Sequence, residues 1–133
     1  MIHTQRALCL WAPDKQTNNQ GEIQMPTTYK VLGQSNPAAT TATTLYTVPA
    51  ATQTVVSSIT IANQASTAAT FRIAIRIAGA TLAASQYIAY DVAVGAADTT
   101  VLTLGLTLGA TDIITIYGST ATLSFAAFGS EIS

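Results

Sequence analysis

Thr70-Phe-Arg-Ile-Ala-Ile-Arg-Ile-Ala78 decides the fold. Successive side chains of a strand point to opposite faces. Here that puts Phe71, Ile73, Ile75 and Ile77 on one side and Arg72, Ala74 and Arg76 on the other. A large apolar face backed by a polar one is the signature of a half-buried strand.

The same alternation recurs on both sides. Thr27 to Gly33 is rich in β-formers and ends on glycine. Thr44 to Val48 is a short strand ended by Pro49, which cannot donate to a ladder and belongs at an edge or corner. Thr54 to Ala62 alternates, with Val55, Ile59 and Ile61 sharing a face with Ser57. Downstream, Thr81 to Gly95 begins Ala-rich, but Tyr87, Ile88, Tyr90, Val92 and Val94 favour strand. Thr99 to Leu108 places Leu102, Leu104, Leu106 and Leu108 on one face, and Gly105 marks a bulge or bend. Asp112 to Tyr117 and Ala121 to Phe128 complete the set around Gly118-Ser-Thr120, with Leu123 and Phe125 on one face. About eight short strands separated by turn signals predict an all-β domain, an antiparallel, jelly-roll-like β-sandwich.

The chain has 133 residues, enough for one domain with a real core. Two regions are expected: an extended N-terminal arm at 1–25 and a sandwich domain at 26–133. The arm holds the sole histidine (His3), the sole cysteine (Cys9) and the sole tryptophan (Trp11). A single cysteine excludes an internal disulfide and fits synthesis in a reducing cytoplasm. Charged residues make up 8% of the chain and the net charge is −1. No basic excess is available to neutralise a phosphate backbone, so nucleic acid is not an expected partner. No apolar run reaches membrane-spanning length. A near-neutral surface rich in Thr, Ser and Ala gives little electrostatic protection against association, which points to a surface covered in an assembly.

Catalytic chemistry finds no foothold. His3 and Cys9 lie on the arm with no third group to orient them. Asp91, Asp98 and Asp112 lie near strand ends, but without calcium-loop spacing they read as turn-formers. Leu104-Gly-Leu-Thr-Leu-Gly109 lacks the lysine and the following helix of a phosphate loop. Tyr87 and Tyr90, three residues apart in a regular strand, fall on opposite faces and form no single stacking platform. No catalytic residue, metal ligand or cofactor is expected. The residues expected to contact a partner are Leu10 and Trp11 on the arm and Arg72 and Arg76 on the outer strand face.

Several segments resemble small virion structural proteins of tailed bacteriophages, cyanophages among them. They are Tyr29-Lys-Val-Leu-Gly33, Leu45-Tyr-Thr-Val-Pro49, Ile59-Thr-Ile-Ala-Asn63, Phe71-Arg-Ile-Ala-Ile-Arg76 with Ala78-Gly-Ala80, Tyr87-Ile-Ala-Tyr-Asp91, Leu123-Ser-Phe125 and Phe128-Gly-Ser-Glu131. The resemblance spans about 26–133 and leaves the arm without a counterpart. It implies a non-enzymatic β-sandwich that forms homotrimers and sits on the particle surface. The first expectation is a capsid cement or decoration protein bound to the major capsid protein. The second is a tail, baseplate or fibre-associated protein bound to tail proteins. A host-glycan-binding module is the third.

Overall fold

The computed structural model describes residues 16–17 and 23–133. Leu10 and Trp11, like His3 and Cys9, lie outside the described residues. Strand β1 (Gln16–Thr17) pairs antiparallel with β2 (Ile23–Gln24). The body is a sandwich of two antiparallel sheets. One sheet runs in the order β4 (Thr43–Thr47), β10 (Ile113–Gly118), β6 (Ala69–Arg76), β7 (Tyr87–Val94). The other runs β3 (Thr27–Ser35), β11 (Leu123–Ile132), β5 (Gln53–Asn63), β8 (Thr99–Leu102), with β9 (Leu106–Leu108) also pairing β5. Two 3-10 turns, Ile77–Gly79 and Ala84–Gln86, connect β6 to β7. No helix among the described residues is long and apolar enough to cross a membrane.

The core lies between the sheets. Phe71, Ile73, Ile114 and Ile116 come from one layer, and Val56, Ile59, Ile61, Leu123 and Phe125 from the other, all of them buried. Phe71 meets Phe125 edge to face across the layers, with ring centroids 6.2 Å apart and planes at 78°. That geometry sets the positive edge of one ring against the negative face of the other.

The alternation expected of β6 holds through Ile75 and then stops. Ala78 (φ 52°) and Gly79 (φ 70°) turn the chain through left-handed conformations. Ile77 is thereby thrown outward and is 71% exposed. The alternation expected of β5 is corrected halfway along. Phe128 pairs with Ser58 and Gly129 with Val56, so Ser57 is an extra residue, a β-bulge. Before the bulge the inward residues are Thr54 and Val56; after it they are Ile59, Ile61 and Asn63. Val55 therefore faces out, not in. The Thr99–Leu108 segment is two strands, because Gly105 (φ 61°) breaks it and leaves Leu104 exposed.

Asn63 ties the loops at one end of the sandwich. Its Nδ2 donates to the carbonyls of Thr67 at 2.8 Å and Gly95 at 3.1 Å. Its Oδ1 accepts from the Ala65 N–H and the Thr122 hydroxyl, both at 3.1 Å. Three loops converge on one buried amide. Asn63→Ala removes these bonds and leaves the partly buried carbonyls of Thr67 and Gly95 without this donor, so a loss of about 1–3 kcal/mol is expected. Urea unfolding of the variant measures it directly, and an unchanged midpoint would contradict this role.

Candidate functional site

Two polar clusters stand out, one at the end of the core and one on an outer face. The first links the sheets. Tyr46 enters from β4 and sends its hydroxyl to the Glu131 carboxylate on β11. The same hydroxyl lies 2.9 Å from Thr54 Oγ1 on β5. Lys30 on β3 closes the group, with Nζ 2.7 Å from Glu131 Oε1. Burial, then the hydrogen bond to Glu131, pushes the Tyr46 phenol up to about 12. For Glu131, burial alone would raise the carboxyl, but hydrogen bonds from Lys30 and Tyr46 outweigh it and hold it below the ordinary value.

The signs give a pH window. An unfolded tyrosine releases its proton near pH 10, whereas folded Tyr46 keeps it to about 12. Between these values the folded state binds more protons, so stability falls as pH rises. The expected loss is on the order of 2 kcal/mol, and Tyr46→Phe should flatten that part of the stability–pH curve. Glu131 works in the opposite direction. Its contribution is present above the ordinary carboxylate range and is lost as pH falls through its depressed folded value. This cluster ties the two sheets together, and its oxygens are already engaged.

The second cluster is on the outer face of the four-stranded sheet. Arg72 (β6) and Tyr117 (β10) are cross-strand partners. The Arg72 guanidinium lies between two aromatic rings, 4.4 Å from the Tyr117 centroid and 4.1 Å from that of Tyr90 (β7). Its Nε donates to Asp91 Oδ1 at 2.6 Å and its Nη2 to Oδ2 at 3.3 Å. The Asp91 hydrogen bond raises the guanidinium further above its ordinary value, and the Arg72 hydrogen bond holds the Asp91 carboxyl below its own. Both groups therefore remain ionised at any physiological pH.

Tyr87 joins this cluster, against the expectation that it would face away from Tyr90. The two rings pack edge to face, with centroids 5.0 Å apart and planes at 87°. The reason is irregular pairing in β7. Ala74 pairs with Tyr87 and Ile73 with Ala89, so Ile88 is extra; Ile73 pairs with Ala89 and Phe71 with Val92, so one more residue is accommodated near Asp91. Asp91 has φ 50°, a left-handed conformation that aspartate adopts more readily than most residues. Bulges of this kind re-aim side chains, and here they gather both tyrosines on one face.

Of the residues expected to contact a partner, Arg72 lies in this cluster and Arg76 does not. Arg76 donates to the carbonyls of Ala80 at 2.6 Å and Gly79 at 3.1 Å, which clamps the turn after β6. Asp98 accepts from the Thr99 N–H, and Asp112 accepts from the N–H groups of Ala78 and Gly109, as turn-forming aspartates do. Among the described residues no group of three His, Cys, Asp or Glu side chains is placed to hold a metal. The Arg72–Asp91 pair and the Tyr46–Glu131 pair escaped sequence reasoning because neither pair is close in the chain. A lone acidic residue in an otherwise uncharged strand was the available signal for Asp91.

No protein-family model matches the chain, and no curated protein matches its sequence.

Proposed function

We propose that the protein is a non-enzymatic virion structural protein of a tailed phage, a homotrimeric cement or decoration protein on the outer surface of the capsid. The observation that carries this reading is the apolar outer surface of the sandwich. On the five-stranded sheet, Tyr29 is 83% exposed and Val101 58%, and Val31 and Val55 are exposed beside the half-buried Phe128. Tyr29, Val31, Val55 and Phe128 line one shallow groove. Contiguous exposed apolar surface marks contact with other molecules more often than it marks a free monomer. With charged residues at 8% of the chain, little long-range repulsion opposes such contact. A symmetric subunit of this kind contributes buried area across shell boundaries and needs no chemistry of its own. The resemblance of residues 26–133 to phage particle proteins points the same way.

Antibody against the chain, applied to particles of the encoding phage and imaged by electron microscopy, is expected to label the whole shell. Labelling at a single vertex would replace the cement role with a tail, baseplate or fibre-associated one. Unlabelled particles would overturn the virion assignment. Particles assembled without the protein are expected to release DNA at lower temperature than complete ones.

A further inference from the structure

The free edge of β3 is open over its first half. β3 is the last strand of the five-stranded sheet, and among the described residues no strand pairs with its other side. The Ser133 N–H donates to the Pro26 carbonyl at 3.2 Å, so the ladder with β11 reaches one residue before β3 begins. Successive residues of a strand turn their N–H and C=O groups to opposite sides. The Pro26 carbonyl faces β11, so Thr27, Tyr29 and Val31 turn theirs to the free edge. An edge of this kind is a template for a further strand unless something blunts it. β3 carries one charge, Lys30, and its ammonium is drawn to Glu131. The bulge at Leu32 ends the regular stretch.

The short hairpin before β3 aims a strand at this edge. β1 pairs with β2 in the register Gln16 to Gln24 and Thr17 to Ile23. Only Met25 and Pro26 separate β2 from β3. Proline fixes its own φ and holds the residue before it extended, so the chain has little freedom to turn between the two strands. In this register each step back from Gln16 falls opposite one step on from Gln24. Carried along β3, it sets Trp11 opposite Tyr29 and Cys9 opposite Val31. On the β11 side the path is closed, because Ser133 already holds Pro26. The segment that meets the free edge, Ala7-Leu-Cys-Leu-Trp-Ala12, is apolar without a break. Directly opposed residues share a face of the sheet. Trp11 and Cys9 therefore fall on the outer face, where Tyr29 and Val31 line a groove with Val55 and Phe128.

We propose that residues 9–13 of the chain's own N-terminal arm add to the free edge of β3 as a further antiparallel strand. Trp11 exchanges backbone hydrogen bonds with Tyr29, and Cys9 with Val31. The Trp11 ring packs against Tyr29 and covers the β3 side of the groove. Leu10 takes the opposite face, over the aliphatic stem of Lys30. Pro13 falls opposite Thr27 and donates nothing, so the added strand draws its bonds from Cys9 and Trp11. In this arrangement Leu10 and Trp11 anchor the arm to its own domain rather than to a partner. Val101, on β8 at the far side of the same sheet, stays free for other contacts. The inference concerns the folded chain alone and stands whether or not the chain is part of a virion.

Two measurements on the intact chain test it. In amide hydrogen exchange, the Tyr29 and Val31 N–H groups are expected to be protected, and Trp11→Ala is expected to speed their exchange about tenfold or more. The Ile61 amide, inside the sheet, is expected to stay protected in both proteins, which reports that the variant is folded. Val31→Cys tests the register against the native Cys9. A hydrogen-bonded antiparallel pair has its Cα atoms about 5.5 Å apart, within disulfide range. Oxidation with oxidised glutathione is expected to close a bridge from position 31 to Cys9 within one chain, read by mass spectrometry of the monomer. Val101→Cys, on the far strand, is expected not to join Cys9. Fast exchange at Tyr29 and Val31 in the intact chain, or exchange unchanged by Trp11→Ala, would overturn the proposal. So would failure of Val31→Cys to bridge, or equal bridging by Val101→Cys. A bridge between two chains would overturn it too, and would give the edge to a neighbour's arm.

Discussion

Gly129→Ala is expected to destabilise the protein by about 3–5 kcal/mol. Gly129 lies in β11, the strand flanked by both β3 and β5. A Cβ at this position would stand 2.0 Å from the Val55 carbonyl oxygen and 3.0 Å from the Val56 Cα. Both are backbone atoms, so no rotamer change relieves the overlap. The crowding arises from the bulge at Ser57, where the β5 backbone bends against β11 opposite Gly129. Relief requires separating the two strands there and giving up ladder hydrogen bonds. Each costs about 1 kcal/mol, on top of about 1–3 kcal/mol for overpacking. In a domain stable by roughly 5–15 kcal/mol, that is a large share. The urea midpoint should fall by more than about 1 M. Gly95→Ala is the matched control: its nearest neighbour would be an Asp98 carboxylate oxygen at 3.5 Å, an ordinary contact. Equal midpoints for the two variants would refute the bulge geometry.

Phe71→Ala is expected to cost about 3–5 kcal/mol by a different route, the opening of a cavity. Phe71 is fully buried, and Phe125, its partner in the opposite sheet, is 2% exposed. Truncation removes the transfer free energy of the ring, leaves a void between sheets that cannot collapse together, and breaks an aromatic pair worth about 0.5–1.5 kcal/mol. A double-mutant cycle with Phe71→Leu and Phe125→Leu isolates the last part, and coupling in that range is expected. A Phe71→Ala loss below about 2 kcal/mol would mean that this contact is not the centre of the core.

The inward faces of β6 and β11 were legible in the sequence because their inward runs are unbroken. Phe71 and Ile73, and likewise Leu123 and Phe125, sit where simple alternation puts them. The faces of β5 and β7 were not. A bulge adds one residue to one strand relative to its partner, and everything beyond it changes sides. Its position depends on the partner strand, which lies far away in the chain. Thus simple alternation groups Val55 with Ile59 and Ile61, whereas Val56 is the residue buried with them, and it separates Tyr87 from Tyr90. The outer cluster was half visible for the same reason: Arg72 could be placed on the outer face, but Asp91 and Tyr117 join it only through pairing between strands. Arg76 had the same spacing signal as Arg72 and serves a turn, since the left-handed Ala78 and Gly79 bring carbonyls within its reach.

The position of β11 between β3 and β5 has a consequence in time. Ser35 pairs with Phe125 and Thr27 with Ile132, so β3 waits for a partner until nearly a hundred intervening residues have been made. β5 likewise lacks its main neighbour until the segment from Leu123 to Ile132 has left the ribosome. Through most of synthesis, then, two strands wait with open hydrogen-bonding edges and apolar faces. Non-local pairing of this kind folds on the scale of milliseconds to seconds. The nascent chain is therefore exposed to its own neighbours on a polysome before β11 exists, an aggregation hazard that belongs to translation rather than to the folded protein.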